Sequence, residues 1–258
     1  MIAQEHDDLK YYQFESLRKS GIFHGIFTRL GGESLAPWNS LNVGGTVGDN
    51  PEIVASNINK IIAVSGSSRD NLAQVRQIHS SNVILIDSPM HEVIQGDAMI
   101  SNQRGLYLFM RFADCVPILF LDEKRKNFGI AHAGWKGTVK EISAHVVRRM
   151  GEVFESKPQD LSVGIGPSIG PDHYTVRDDV ISEIKKTFPD RWNEVISSIS
   201  NEVKLDLWKA NEITLRKAGV RSIEQARICT GCNTEEWYSH RAEMGKTGRF
   251  AAVIGLTP

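Results

Sequence analysis

The side chains able to do chemistry gather around residues 111–137, RFADCVPILFLDEKRKNFGIAHAGWKG. Cys115 stands just before the apolar run Val116–Leu121, and His132 stands at the end of a second run, beyond the polar turn Asp122–Asn127. That turn is too polar for a core, so the two runs read as a hairpin. Pairing would bring thiol and imidazole to one edge of a sheet, where they can form a nucleophile–base pair or two thirds of a metal site. His79, in Gln77-Ile78-His79-Ser80-Ser81, supplies a third donor.

His79, Cys115 and His132 are 36 and 17 residues apart, so they make no local zinc motif. Distant ligands on a sheet are the usual arrangement of catalytic metal centres, where three protein ligands leave a fourth position open. A thiolate with two imidazoles suits Zn²⁺, with Cu as the alternative. The competing reading is plain: Cys115 is a small buried hydrophobe and both histidines are ordinary hydrogen-bonded residues. Spacing alone does not separate the two, because eight histidines and three cysteines allow many triples.

Other residues carry weaker signals. Asp114 could orient a metal ligand or move a proton, or could cap a turn. Cys229-Thr230-Gly231-Cys232 is a lone C-x-x-C with no second pair, which reads as two free thiols in a loop as readily as a redox or zinc motif. Arg29, Lys136 and Arg241 flank glycines or polar loops, where guanidinium forks and loop amides suit an anion such as phosphate. Gly31-Gly32 matches no phosphate-loop or dinucleotide fingerprint.

The elements that must hold these residues alternate between helix and strand. Strands are expected within residues 9–30 around a turn at Ser20-Gly21, twice between Leu72 and Ile86, at Gly96–Ile100, at Gly105–Met110, at Leu161–Ile165 and at Arg249–Leu256. Asn50 and Pro51 open a helix whose apolar stripe is Val54, Ile58, Ile61 and Ile62. One helix is expected after Trp135, with Val139, Ile142, Val146, Met150 and Val153 on its buried side. Two more are expected at Asp178–Phe188, burying Ile181, Ile184 and Phe188, and at Leu205–Ala218, ended by Gly219. No linker, repeat or low-complexity tract interrupts this mixture. One α/β domain over residues 1–258 fits best.

Composition bounds the partners. The chain of 258 residues is 41% apolar and 24% charged, with a formal charge of −1. That balance argues against a basic nucleic-acid surface. No apolar run approaches the roughly 20 residues of a membrane span. The polar N-terminal stretch lacks a signal-peptide pattern, and three cysteines make no disulfide scaffold. A soluble cytoplasmic protein, monomeric or a small homo-oligomer, is the expectation.

Short stretches along the chain also carry a family resemblance. They are F-T-R-L-G-G-E-S (27–34), S-L-N-V-G (40–44), G-D-N-P (48–51), Q-I-H (77–79), G-D-A-M (96–99), A-D-C-V-P (113–117), A-H-A-G-W-K-G (131–137), G-P-S-I-G-P (166–171) and K-T-G-R-F-A-A (246–252). In these the chain resembles the YfiH-like multicopper polyphenol oxidoreductase (laccase-like) family, also called the purine nucleoside phosphorylase family. The resemblance implies a mixed-sheet α/β sandwich with cysteine-hydrolase-like layers and a zinc site at His79, Cys115 and His132. It implies phosphorolysis of adenosine, inosine, guanosine and methylthioadenosine, and deamination of adenosine. Cys115, His132 and Asp114 would be catalytic. Arg29, Asn42, Lys136 and Arg241 would be candidate contacts to nucleoside or phosphate.

Two stretches depart from the family pattern, Asp172-His173-Tyr174 where a cysteine often precedes the tyrosine, and Ser239-His240-Arg241-Ala242 where Ser-Tyr-Arg-Arg is usual. Both bear on substrate preference. The alternatives left open are a copper-dependent polyphenol oxidase, a metal-free Cys/His hydrolase editing peptidoglycan precursors, and a non-catalytic binding module.

Overall fold

The structure, a computed structural model, describes residues 1–90, 92–199 and 202–258. Two six-stranded sheets form its centre. The first runs in the order Ile2–His6 (β1), Leu9–Gln13 (β2), Ile22–Phe27 (β3), Phe250–Leu256 (β15), Tyr107–Phe112 (β7) and Leu72–Gln74 (β4). The second runs Ser222–Gln225 (β14), Leu161–Ile165 (β10), Val116–Asp122 (β8), Asn127–Ala133 (β9), Ala98–Ser101 (β6) and Val83–Leu85 (β5). Both sheets mix parallel and antiparallel pairs.

Side-chain alternation decides how the layers stack. In β7 and β15, Leu108, Met110, Phe112, Phe250, Ala252 and Ile254 point into a core shared with Leu119, Leu121, Phe128 and Ile130 of the second sheet. Their neighbours Tyr107, Phe109, Ala251 and Val253 point the other way, onto the helix Pro51–Ser65 (α1). The opposite face of the second sheet, with Val116, Ile118, Phe120, Ala131 and Ala133, packs beneath the helices Trp135–Val139 (α2), Ile142–Phe154 (α3), Asp178–Thr187 (α4), Trp192–Val195 (α5) and Leu207–Lys217 (α6). The result is an α/β sandwich of four layers. Strands buried on both faces explain why β8, β9 and β15 read as unbroken apolar runs.

Several elements follow the sequence closely. Asn50 caps α1, its side chain accepting from the Glu52 amide at 2.8 Å, with Pro51 at the first position and Gly66 in the left-handed conformation at the end. The hairpin β8–β9 pairs from Val116–Ala133 to Asp122–Asn127. Its turn is shorter than expected, because Asp122 and Asn127 are buried rather than solvated. Each has its polar atoms answered: Asp122 accepts from the Arg125 amide at 3.1 Å, and Asn127 donates to Ser156 Oγ at 2.9 Å. Only Glu123–Lys126 turn outside.

The single helix expected after Trp135 is instead two. Glu141 adopts φ 53°, a left-handed conformation that cannot continue a helix, and separates α2 from α3. In α4 the fully buried pair is Val180 and Ile184, with Ile181 half-buried. A small third sheet, formed by Thr175–Val176 (β11), Ile196–Ile199 (β12) and Glu202–Leu205 (β13), was not expected, and neither were β1, β14 and α5.

Candidate metal centre

Asp97, absent from the residues singled out by sequence, organises the centre. It precedes β6 and is fully buried. Its Oδ2 accepts from the Ile78 amide at 3.2 Å, the Ser80 amide at 2.6 Å and Ser80 Oγ at 2.8 Å. Its Oδ1 accepts from the His79 amide at 3.0 Å and lies 2.9 Å from His132 Nδ1. Burial pushes this carboxyl up, but His132 and the Ser80 donors outweigh it and hold the group below the usual carboxylate range. One carboxylate therefore fixes both the loop bearing His79 and the ring of His132. The loop needs fixing, since His79 takes φ 58°, a conformation costing about 1 kcal/mol in a residue with a side chain.

His132 continues the inward-facing row of Phe128 and Ile130 along β9, so it sits at the end of the space between the sheets. With Nδ1 donating to Asp97, the lone pair resides on Nε2, which is left for the site. Phe112 lies beside it, ring centroids 5.5 Å apart, and the His79 ring meets it edge-on at 4.9 Å. Cys115, at the start of β8, places Sγ 4.0 Å from His79 Nε2. The three donor atoms lie within 4.8 Å of one another.

This donor set fits a metal. A tetrahedral zinc ion separates nitrogen and sulfur ligands by about 3.3–3.8 Å, close to what is found, and a carboxylate already orients one imidazole. Gly134 preserves the space, because a Cβ there would come within 2.7 Å of Cys115 Sγ and 3.3 Å of the His79 ring. Without metal, the same groups behave as a charged pair. Burial pushes the Cys115 thiol up, but the His132 and His79 imidazoles pull it down to about 6. Burial pulls His132 down, but Cys115 and Asp97 push it up to about 9.

The other expected residues are placed differently. Asp114 has φ 81° and a carboxylate that accepts from Thr230 Oγ1, Ser239 Oγ and the Arg241 amide, each at 2.7 Å. It ties the 229–241 segment to the start of β8. Arg29 is buried and spends its guanidinium on the Asn39 carbonyl, the Thr234 carbonyl and Glu243, over the Tyr238 ring. Asn42 is buried too, bridging Asp49, the Gly44 amide and the Arg249 amide. Lys136 is exposed beside the Trp135 ring, and Arg241 lies over the Tyr174 ring.

Two residues that sequence reasoning missed feel the charge of Cys115. Among the described residues the Arg249 guanidinium bonds only to the carbonyls of Thr247 and Gly248, with no carboxylate partner. Burial lowers its pKa, opposed by the charges of Cys115 and Asp114. The Tyr174 phenol is held above the usual range by burial first and then by the same two charges. The K-T-G-R stretch at 246–249 could have pointed to Arg249; for Tyr174 the signal was the Gly-Pro loop before it. Two surface hollows elsewhere, one lined by Ala144, Val147 and Gly151 and the other by Leu85, Ile86 and Met90, hold no metal-ligating cluster among the described residues.

Comparison with known proteins places these features in context. The model of a family described as multi-copper polyphenol oxidoreductase laccase matches residues 23–257. A protein of Geobacillus stearothermophilus named purine nucleoside phosphorylase YlmD is 33% identical over 251 residues, covering 92% of this chain and 90% of its own. A purine nucleoside phosphorylase of Deinococcus radiodurans is 34% identical over 234 residues, covering 90% and 88%. The crystal structure of YlmD from Geobacillus stearothermophilus superposes with a TM-score of 0.93 at 32% identity, covering 99% of this chain and 98% of that one.

Proposed function

The chain belongs to the multi-copper polyphenol oxidoreductase laccase family, and on that footing we propose that it is a purine nucleoside phosphorylase, residues 1–258 forming one catalytic unit. Its substrates in this reading are adenosine, inosine, guanosine and methylthioadenosine, each with phosphate, and adenosine deamination is a second activity of the same centre. The observation that carries the reading is the trio His79, Cys115 and His132 at the end of the sandwich, with both histidines fixed by one buried carboxylate. Relatives bearing the name purine nucleoside phosphorylase cover nine tenths of the chain.

In phosphorolysis a phosphate oxygen bonds to the anomeric carbon while the bond from that carbon to the purine nitrogen breaks. The base leaves with the electron pair and needs a proton or a hydrogen bond. His79, Cys115 and His132 would hold Zn²⁺, which when bound supplies Lewis-acid polarisation of an oxygen at this position. The same His₂Cys set also suits copper. Asp97 keeps His132 in one tautomer. Tyr174, held protonated by burial and by the charge of Cys115, donates towards the leaving base. Arg249 and exposed Lys136 attract phosphate, with Arg249 in the role that sequence assigned to Arg29. Asp114 positions the rim through Thr230, Ser239 and Arg241 rather than shuttling a proton.

A second reading rests on the metal-free state, in which Cys115 and His132 form a thiolate–imidazolium pair capable of acyl transfer. Product analysis separates the two. Zinc-loaded protein is incubated with adenosine, with and without phosphate. Adenine and ribose 1-phosphate formed only with phosphate establish phosphorolysis, and inosine in both arms establishes deamination. No turnover of adenosine, inosine or methylthioadenosine at a full metal complement overturns the nucleoside reading. Hydrolase activity that rises on chelation favours the thiolate.

A further inference from the structure

Asp172, His173, Cys229 and Cys232 lie together on the loops beside the Asp114 tether, away from the trio described above. Their ligand atoms fall within 4.8 Å of one another. His173 Nδ1 is 3.7 Å from Cys229 Sγ, 3.4 Å from Cys232 Sγ and 3.1 Å from Asp172 Oδ2. Cys232 Sγ is 2.8 Å from Asp172 Oδ2. The edges of a tetrahedron around zinc, with Zn–N and Zn–O near 2.0 Å and Zn–S near 2.3 Å, run from about 3.3 to 3.8 Å. Two sulfurs, a ring nitrogen and a carboxylate oxygen are thus already near the corners of such a figure.

From these contacts we propose a second metal site, in which Asp172, His173, Cys229 and Cys232 bind one Zn²⁺ with all four positions filled by protein. Two thiolates and an imidazole are a borderline-soft set suited to zinc, and four protein ligands leave no open position, which is the mark of a structural site. The C-x-x-C spacing lets both sulfurs face one ion, and Gly231 between them lies against the His173 ring, where a Cβ would stand 3.2 Å from Cγ. Cys229 is buried and its Sγ accepts from the Gly170 amide at 3.1 Å, a bond that orients a thiolate ligand. Both cysteines are free thiols. On binding, each sulfur releases its proton to solvent, and the Cys232 thiol gives up its bond to Asp172.

The position gives the ion a task. It staples the loop Gly170–Tyr174 to the segment 229–232. Tyr174 on the first lies against the Arg241 guanidinium, and Thr230 on the second donates to Asp114. The ion therefore fixes the rim of the first centre without touching it.

The test is metal content of protein purified under reductant after growth with zinc, measured by mass spectrometry. Wild type is expected to hold two equivalents per chain. Cys232→Ser should lose one and keep the other, and His79→Ala with Cys115→Ser should also keep one, now lost on adding Cys232→Ser. Native-state alkylation should find Cys232 protected with zinc and reactive without it. Circular dichroism checks that each variant folds. A wild type holding no zinc overturns the proposal, as does zinc content unchanged by Cys232→Ser, or a Cys229–Cys232 disulfide in the isolated protein. Nucleoside turnover is read separately, so failure here leaves the phosphorylase reading standing.

Discussion

Asp97 Oδ1 lies 2.9 Å from His132 Nδ1 and also receives the backbone amide of His79 at 3.0 Å, so one oxygen serves two of the three candidate metal ligands. Asp97→Asn should keep the shape but lose the charge and one acceptor. The amide nitrogen then faces a donor, either Ser80 or His132. Orienting partners of this kind are worth about 10–100-fold in metal affinity, and leaving a buried donor unanswered costs about 1–3 kcal/mol. Competition with a zinc chelator and a thermal melt would measure both. Unchanged affinity would mean that His132 is held by its packing against Phe112 instead.

Gly134 tests the space for the centre rather than its ligands. Gly134→Ala places a methyl 2.7 Å from Cys115 Sγ, and its φ of −72° is one that alanine adopts freely. The fold should survive with a loss of about 1–3 kcal/mol from overpacking, while zinc occupancy and turnover fall together. Full occupancy in a folded Gly134→Ala protein would show that Cys115 can move aside and still bind.

How much of this was legible follows from where each partner sits in the chain. The hairpin β8–β9 is local, and its apolar runs and intervening charges announced it, although Asp122 and Asn127 proved buried. The trio was visible as residue types and the resemblance joined them. Asp97 was quoted within G-D-A-M but given no role, because its role exists only once β6 lies beside β9 and the 78–80 loop folds back over it. Arg29 misled for the same reason. Its partners Thr234 and Glu243 are more than 200 residues away, and nothing beside it in sequence shows that its fork is occupied. β1 is an edge strand with polar residues on its open face, which weakens any apolar alternation.

The metal-stripped protein should titrate at Cys115. Its thiol is pulled down to about 6 from the ordinary 9.0 by the two imidazoles, so iodoacetamide should modify it half-maximally near that pH, and zinc should protect it. A depressed pKa contributes stability present above the unfolded value and lost as pH falls through about 6. His132, raised from 6.5 to about 9, contributes stability present below 6.5 and lost as pH rises through 9. Between those limits folded and unfolded states carry the same protons on this pair, so its stabilisation is flat with pH. Acid loss should come instead first from His24, kept neutral by burial down to about 4 against its ordinary 6.5, and then from Asp97 as pH falls below 3.8. An apo-protein melt that slopes between pH 6.5 and 9 would contradict the pairing.

Arg29 and Arg249 should part company on mutation. Arg29→Ala leaves Glu243 and the carbonyls of Asn39 and Thr234 without their donor in a largely buried site. Breaking such a pair costs about 3 kcal/mol, which should lower the melting temperature by several degrees in a chain of this size. Arg249 has no carboxylate to abandon among the described residues, so Arg249→Lys should melt near the wild type. Lysine keeps the charge but not the fork, and a two-pronged contact to phosphate is lost. The Michaelis constant for phosphate should rise about tenfold, the worth of roughly one charge-assisted hydrogen bond, with that for nucleoside little changed. Phosphate saturation at fixed nucleoside would measure it. If Arg29→Lys raised the phosphate constant instead, and Arg249→Lys left it alone, the anion would bind on the Arg29 side and the internal bonds of Arg29 would have to open to receive it.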